Sequence, residues 1–156
     1  MEQAFLTDIQ NNQNIIYKVC NLYRDSREDQ EDLFQEIVYQ LWKSYPGFKG
    51  ESKLSTWIYR IALNTAIAAY RKPTIDISYP EEIPDHIQYT TELNSSENEE
   101  RLFRALRILS DAEKAVISLY LEDYSYEEIA AITGLTESNV GVRLNRIKSK
   151  LKERLK

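Results

Sequence analysis

The sequence predicts an all-α protein made of two small helical domains joined by a flexible acidic linker. Three observations lead to that expectation. Apolar residues recur at helical spacing near both ends of the chain, and no strand-like alternation persists. Two Ser-x-x-Glu capping boxes, Ser110 to Glu113 and Ser125 to Glu128, place helix starts near Asp111 and Tyr126. Between the apolar blocks runs "PTIDISYPEEIPDHIQYTTELNSSENEE", with three prolines and no Lys or Arg.

Taken in order, "NQNIIYKVCNLYRD" forms a first helix with Ile15, Ile16, Val19 and Leu22 or Tyr23 facing inward. From Glu31, "EDLFQEIVYQLWKSY" puts Leu33, Phe34, Ile37, Val38, Leu41 and Trp42 on one face. Pro46 and Gly47 end that helix. The short loop "GFKGES" leads into "KLSTWIYRIALNTAIAAYRK", apolar nearly all round and halted by Pro73. The proline-containing stretch is longer than ordinary loops within a domain and reads as a linker. Helix resumes after Ser96 with Leu102, Phe103, Leu106 and Leu109 on one side, and the last helix runs from about Glu137 to Leu155. The expected domains are therefore 1–73 and 98–156, with 74–97 between them.

The formal net charge of −5 hides its distribution. Met1 to Pro73 holds nine basic and nine acidic residues, Thr74 to Glu100 holds eight acids and no base, and Arg101 to Lys156 holds eleven bases against eight acids. The acid excess lies in the middle block, so net charge does not argue against DNA, which responds to local clusters. The single cysteine, Cys20, allows no intrachain disulfide and sits in an apolar stripe, where a buried structural thiol is expected. No basic-then-apolar leader opens the chain and no apolar run approaches about 20 residues, so a cytoplasmic protein is expected. An enzyme is not. The lone histidine, His86, falls in the acidic stretch, no glycine loop ends in GK[ST], and nothing calls for a metal or cofactor.

"EEIAAITGLTESNVGVRL" has the layout of a helix-turn-helix. Gly134 suits a sharp turn at positive φ, and Ile129, Leu135, Val140 and Leu144 pack the two helices together. The second helix presents Glu137, Ser138, Asn139, Gly141, Val142, Arg143, Asn145 and Arg146 to the major groove. Arg can fork onto guanine, Asn can bracket adenine and Val can touch a thymine methyl. Seven basic residues and one acid follow between Arg143 and Lys156. Gly141 costs helix stability for no reason visible in the sequence.

In the first block, Lys53 to Ile75 contains no acid, and Lys53, Thr56, Arg60, Asn64 and Arg71 fall within roughly 80° on a helical wheel. Cations interleaved with Trp57, Tyr59 and Tyr70 suit single-stranded nucleic acid, although a core role for Trp57 weighs more than a stacking one. Glu28, Asp29, Glu31, Asp32 and Glu36 crowd one polar face, a solvated surface or an acidic dock for a basic partner.

"EDLFQEIVYQLWKSYPGFKGESKLSTWIYRIALNTAI" resembles region 2 of the extracytoplasmic-function (ECF) sigma factors of bacterial RNA polymerase, and "LSDAEKAVISLYLEDYSYEEIAAITGLTESNVGVRLNRIKSKL" resembles their region 4. The resemblance implies a sigma factor that brings core RNA polymerase to promoters. It implies docking on the largest catalytic subunit through Asp32, Gln35 and Glu36. It implies binding of the single-stranded −10 element by Lys49, Lys53, Trp57, Arg60, Asn64 and Arg71, with Lys53, Trp57, Arg60 and Asn64 lining or supporting the pocket for a flipped base. It implies reading of the duplex −35 element by Thr136, Ser138, Asn139, Val142, Arg143, Asn145, Arg146 and Lys150. An anti-sigma partner is plausible on the same ground, and no further domain is expected after region 4. The acidic linker would thread the polymerase cleft. Many relatives carry a polar residue where this chain has Gly141. The rivals are a stand-alone helix-turn-helix regulator of duplex DNA, which would bind tightly without polymerase, and an adaptor that uses both domains for protein contacts.

Overall fold

The computed structural model describes residues 2–50, 52–71 and 97–154, with residues 69–71 given by backbone alone. The described residues form eight α-helices and no strand. They divide into two compact units, Met1–Leu93 and Asn94–Lys156. Most of the expected linker, with His86 and most of its acids, lies outside the described residues.

The first unit holds α1 (Glu2–Asn11), α2 (Gln13–Tyr23), α3 (Arg27–Ser44), a single 3-10 turn (Tyr45–Gly47) and α4 (Leu54–Arg71). α2, α3 and α4 pack on one another. Phe34, Ile37, Val38 and Leu41 from α3 meet Ile58, Ala62 and Ala66 from α4 in a core with no solvent exposure at these positions. The small Ala62 and Ala66 let α4 approach closely, and Arg24 reaches across from the end of α2 to donate to the Ala66 carbonyl at 3.4 Å. Buried Gln30 closes the turn between α2 and α3 by donating to the Arg24 carbonyl at 3.0 Å. Cys20 is fully buried. Burial pushes its thiol up, and nearby Arg24 offsets only part of that, so it stays protonated as a core residue.

Two differences from the sequence expectation have local causes. α1 was not expected, yet Phe5, Leu6 and Ile9 form a buried stripe on it. α3 begins a turn earlier than Glu31, because Ser26 caps it by accepting from the Asp29 N–H at 3.1 Å and Arg27 pairs with Glu31 at 3.0 Å.

The second unit holds α5 (Glu97–Leu106), α6 (Asp111–Leu121), α7 (Tyr126–Thr133) and α8 (Glu137–Arg154). Glu97 is thus helical instead of the linker's last residue. Both capping boxes form: Ser110 and Ser125 accept from the N–H groups of Glu113 and Glu128, whose carboxylates accept from the serine N–H groups at 3.0 Å. α6, α7 and α8 pack pairwise around Val116, Leu119, Ile129, Val140, Leu144 and Ile147, all fully buried.

Candidate nucleic-acid interface

α7 ends at Gly134, whose φ of 81° lets its N–H return to the Ala130 carbonyl at 2.9 Å. A side chain would be strained there, so the turn that swings the chain into α8 depends on glycine. Thr136 then opens α8 by accepting from the Asn139 N–H at 3.1 Å, which commits its hydroxyl to the helix end. Ser138, Asn139, Val142, Asn145 and Arg146 are exposed on α8. Leu135, expected to pack the helix pair, is half-buried.

Two cations of α8 have internal partners, and a third is partly enclosed. Lys150 donates to both Glu113 oxygens at 2.9 and 3.1 Å, tying α8 to the start of α6. Lys148 donates to the Tyr120 hydroxyl at 3.3 Å and sits 4.8 Å from its ring centroid. Arg143 is half-buried, with its Nε enclosed and without a hydrogen-bond partner. Burial pushes the Glu113 carboxyl up, but hydrogen bonds from Lys150 and Ser110 outweigh it and leave the group below its ordinary value.

In the first unit, Lys49, Lys53, Arg60 and Asn64 are exposed on the loop before α4 and on α4 itself. The side chain of Arg71, the last residue of α4, lies outside the described residues. Trp57 is half-buried against Phe48, ring centroids 5.0 Å apart, and faces Tyr45 at 6.2 Å. It therefore supports the loop it leans on and is not a free stacking platform. Tyr59 is 2% exposed and belongs to the core. On α3, Asp32 is exposed while Gln35 and Glu36 are half-buried. One Glu36 oxygen accepts from Gln40 at 3.1 Å and the other is enclosed without a partner.

Sequence reasoning missed a brace behind this loop. Phe5 of α1 packs between Trp42 and Tyr45, at 4.9 and 5.1 Å, and the Tyr45 hydroxyl donates to Asp8 at 2.7 Å. The spacing of Phe5, Leu6 and Ile9 was the available signal. Tyr126, exposed at the start of α7, was also missed; only its ring contact with α8 reveals it.

Residues 9–74 match the family Sigma-70 region 2, and residues 99–151 match Sigma-70, region 4. The chain is 32% identical over 144 residues to the ECF RNA polymerase sigma-E factor of Haemophilus influenzae, covering 83% of this chain and 76% of that protein. The chain belongs to the ECF sigma factors of bacterial RNA polymerase. A second relative, the ECF sigma factor SigG of Mycobacterium tuberculosis, is 30% identical over 85% of this chain and 43% of its own length. The fold is also that of a chain in the co-crystal structure of the sigma factor RpoE with the anti-sigma factor NepR from Bartonella quintana. There the TM-score is 0.74 at 21% identity, covering 98% of this chain and 97% of that one. As an ECF sigma factor, this protein is a transcription initiation factor whose partners are core RNA polymerase and promoter DNA. No helix among its described residues is long and apolar enough to cross a membrane.

Proposed function

We propose that this sigma factor divides promoter recognition between its two units. The first docks on core polymerase through the α3 face of Asp32, Gln35 and Glu36. It captures the single-stranded −10 element with Lys49, Lys53, Arg60, Asn64 and Arg71, and Trp57 supports the pocket from below. Capturing a flipped base means unstacking it, which costs a few kcal/mol that the pocket must offset. The second unit reads the −35 duplex with Ser138, Asn139, Val142, Asn145 and Arg146. Thr136 orients the helix, Arg143 reaches DNA through its guanidinium tip, and Lys150 contributes charge beside its internal pair with Glu113.

The observation that carries this reading is the presence of regions 2 and 4, in that order, on one chain. Working with RNA polymerase supports a cytoplasmic location for the protein. The capture of RpoE with NepR supports an anti-sigma factor as a further partner of this chain as well.

The test is reconstitution with core polymerase followed by genome-wide run-off transcription. Discrete start sites sharing −35 and −10 elements are expected only when both components are present. Tight, sequence-specific duplex binding by the protein alone, with no run-off product, would instead establish the stand-alone regulator.

A further inference from the structure

Gly141 lacks any reason internal to the chain. It sits within α8 at ordinary helical φ, so the turn chemistry that explains Gly134 does not apply. A Cβ built at Gly141 meets only the Tyr126 ring, at 3.5 and 4.0 Å, which is ordinary van der Waals contact. Neither strain nor crowding within the protein asks for glycine, and an alanine would make a better helix. Gly141 is half-buried, and glycine permits close approach of another molecule to the helix backbone.

The surroundings of that bare backbone are apolar. Tyr126 is 42% exposed and Val142 46% exposed, two of the four large exposed hydrophobics among the described residues. One lies against Gly141 and the other follows it in sequence. Exposed Arg146 and Lys152 on the same helix supply attraction for phosphates. Two exposed apolar side chains, the Tyr126 ring beside Gly141 and Val142 next to it on α8, thus flank a stretch of helix backbone that carries no side chain.

We propose that Tyr126, Gly141 and Val142 form a notch that reads the 5-methyl group of one thymine in the −35 duplex. The inference rests on the reading that α8 lies in the major groove. Among the four bases only thymine presents a methyl group there, and it is the major-groove feature that apolar side chains contact. Tyr126 is thereby a specificity-determining residue on α7, outside the recognition helix itself. Gly141 is the residue whose missing side chain makes room for the methyl.

The test uses holoenzyme assembled from the full chain and core polymerase, on a promoter found by run-off mapping. Each −35 thymine is replaced in turn by deoxyuridine, which removes the methyl alone. The wild type is expected to lose about three- to fivefold in open-complex formation at one position, the worth of one buried methyl. Tyr126→Ala should abolish that difference, Tyr126→Phe should keep it, and Gly141→Ala should reduce it by occupying the notch. Circular dichroism checks each fold, and if Tyr126→Ala fails to fold the Gly141→Ala arm decides. The proposal is overturned if no thymine shows the methyl effect, or if the variants retain it at full size. A scrambled −35 element serves as the control. If scrambling is harmless, the −35 reading itself falls; if scrambling matters while deoxyuridine does not, only the notch falls.

Discussion

Glu113 joins two structures that its removal should separate. Its carboxylate closes the α6 capping box on the Ser110 N–H at 3.0 Å and accepts from Lys150 at 2.9 Å. The Glu113 side chain is 11% exposed and that of Lys150 is 54% exposed. The cap is worth about 1 kcal/mol, and the pair adds about 0.5–1 kcal/mol because half the lysine is screened by solvent. Glu113→Ala should therefore destabilise the second unit by about 2 kcal/mol, a fall in Tm of about 10 °C for a domain of this size. Glu113→Gln keeps an acceptor for Ser110 and loses only the charge, so it should cost about 1 kcal/mol or less.

The assay can tell the units apart, since both tryptophans, Trp42 and Trp57, lie in the first. Melts followed by far-UV circular dichroism should show the loss, while tryptophan fluorescence should not move. The carboxyl is held below its ordinary value in the folded state. Its ionic contribution is thus complete above the unfolded pKa of about 4.3 and fades as pH falls through the folded value. The gap between wild type and Glu113→Gln should be full at pH 7 and close under acid. An unchanged dichroism melt, or an equal shift in tryptophan fluorescence, would refute the reasoning.

Three further outcomes follow from single contacts. Tyr45→Phe removes the bond to Asp8 and should cost about 1 kcal/mol, read by tryptophan fluorescence in urea. The Asp8 hydrogen bond, then burial and the Asp8 charge, hold the phenol above its ordinary value. That contribution should persist below the unfolded pKa of about 10 and disappear only as pH rises through the folded value. Asp32→Arg should lower core-polymerase affinity at least tenfold on a native gel without shifting either melt; unaltered holoenzyme would remove the α3 face from the docking surface. Asp32 is a cleaner probe than Glu36, where an enclosed oxygen would confound charge reversal. Gly141→Ala should stabilise the second unit by about 0.5–1 kcal/mol, read as a raised dichroism midpoint, and a lower midpoint would show that α8 is crowded there.

Helix starts and stops were legible at most places where a local chemical device sets them, the Ser26 cap of α3 being the exception. Ser110, Ser125, Gly134 and Pro46 each act on neighbours a few residues away, so spacing alone located them. The buried faces of α3 and α8 were legible for the same reason, because a period of 3.6 selects Ile37, Leu41, Val140 and Leu144 whatever they pack against. What the sequence could not show were partners distant along the chain. Asp8 meets Tyr45, Lys150 meets Glu113 and Tyr126 meets Gly141 only after folding. Lys150 illustrates the consequence: its place in a basic tail suggests a DNA contact, and the fold gives its ammonium a carboxylate first. Trp57 is the opposite case, since the core role that its spacing favoured is close to its half-buried seat on Phe48.

The same long-range contacts limit the charge that α8 has free for DNA. Of seven basic residues from Arg143 to Lys156, Lys156 lies outside the described residues. Lys150 and Lys148 are engaged within the unit and Arg143 is half-buried. Arg146, Lys152 and Arg154 remain exposed for phosphates. Each neutralised phosphate contributes about −0.9 to the slope of log K against log salt, so three give about −3. Raising salt from about 50 to about 200 mM should then weaken duplex binding by the isolated protein about 40-fold. A slope of about −5.4 would mean that Arg143, Lys148 and Lys150 each neutralise a phosphate as well. A contact this weak becomes useful when the first unit is docked on core polymerase, because tethering turns the second binding event into an intramolecular one at effective concentrations near the millimolar range. On the proposed division of labour, promoter choice rests on two weak readers that the polymerase holds together.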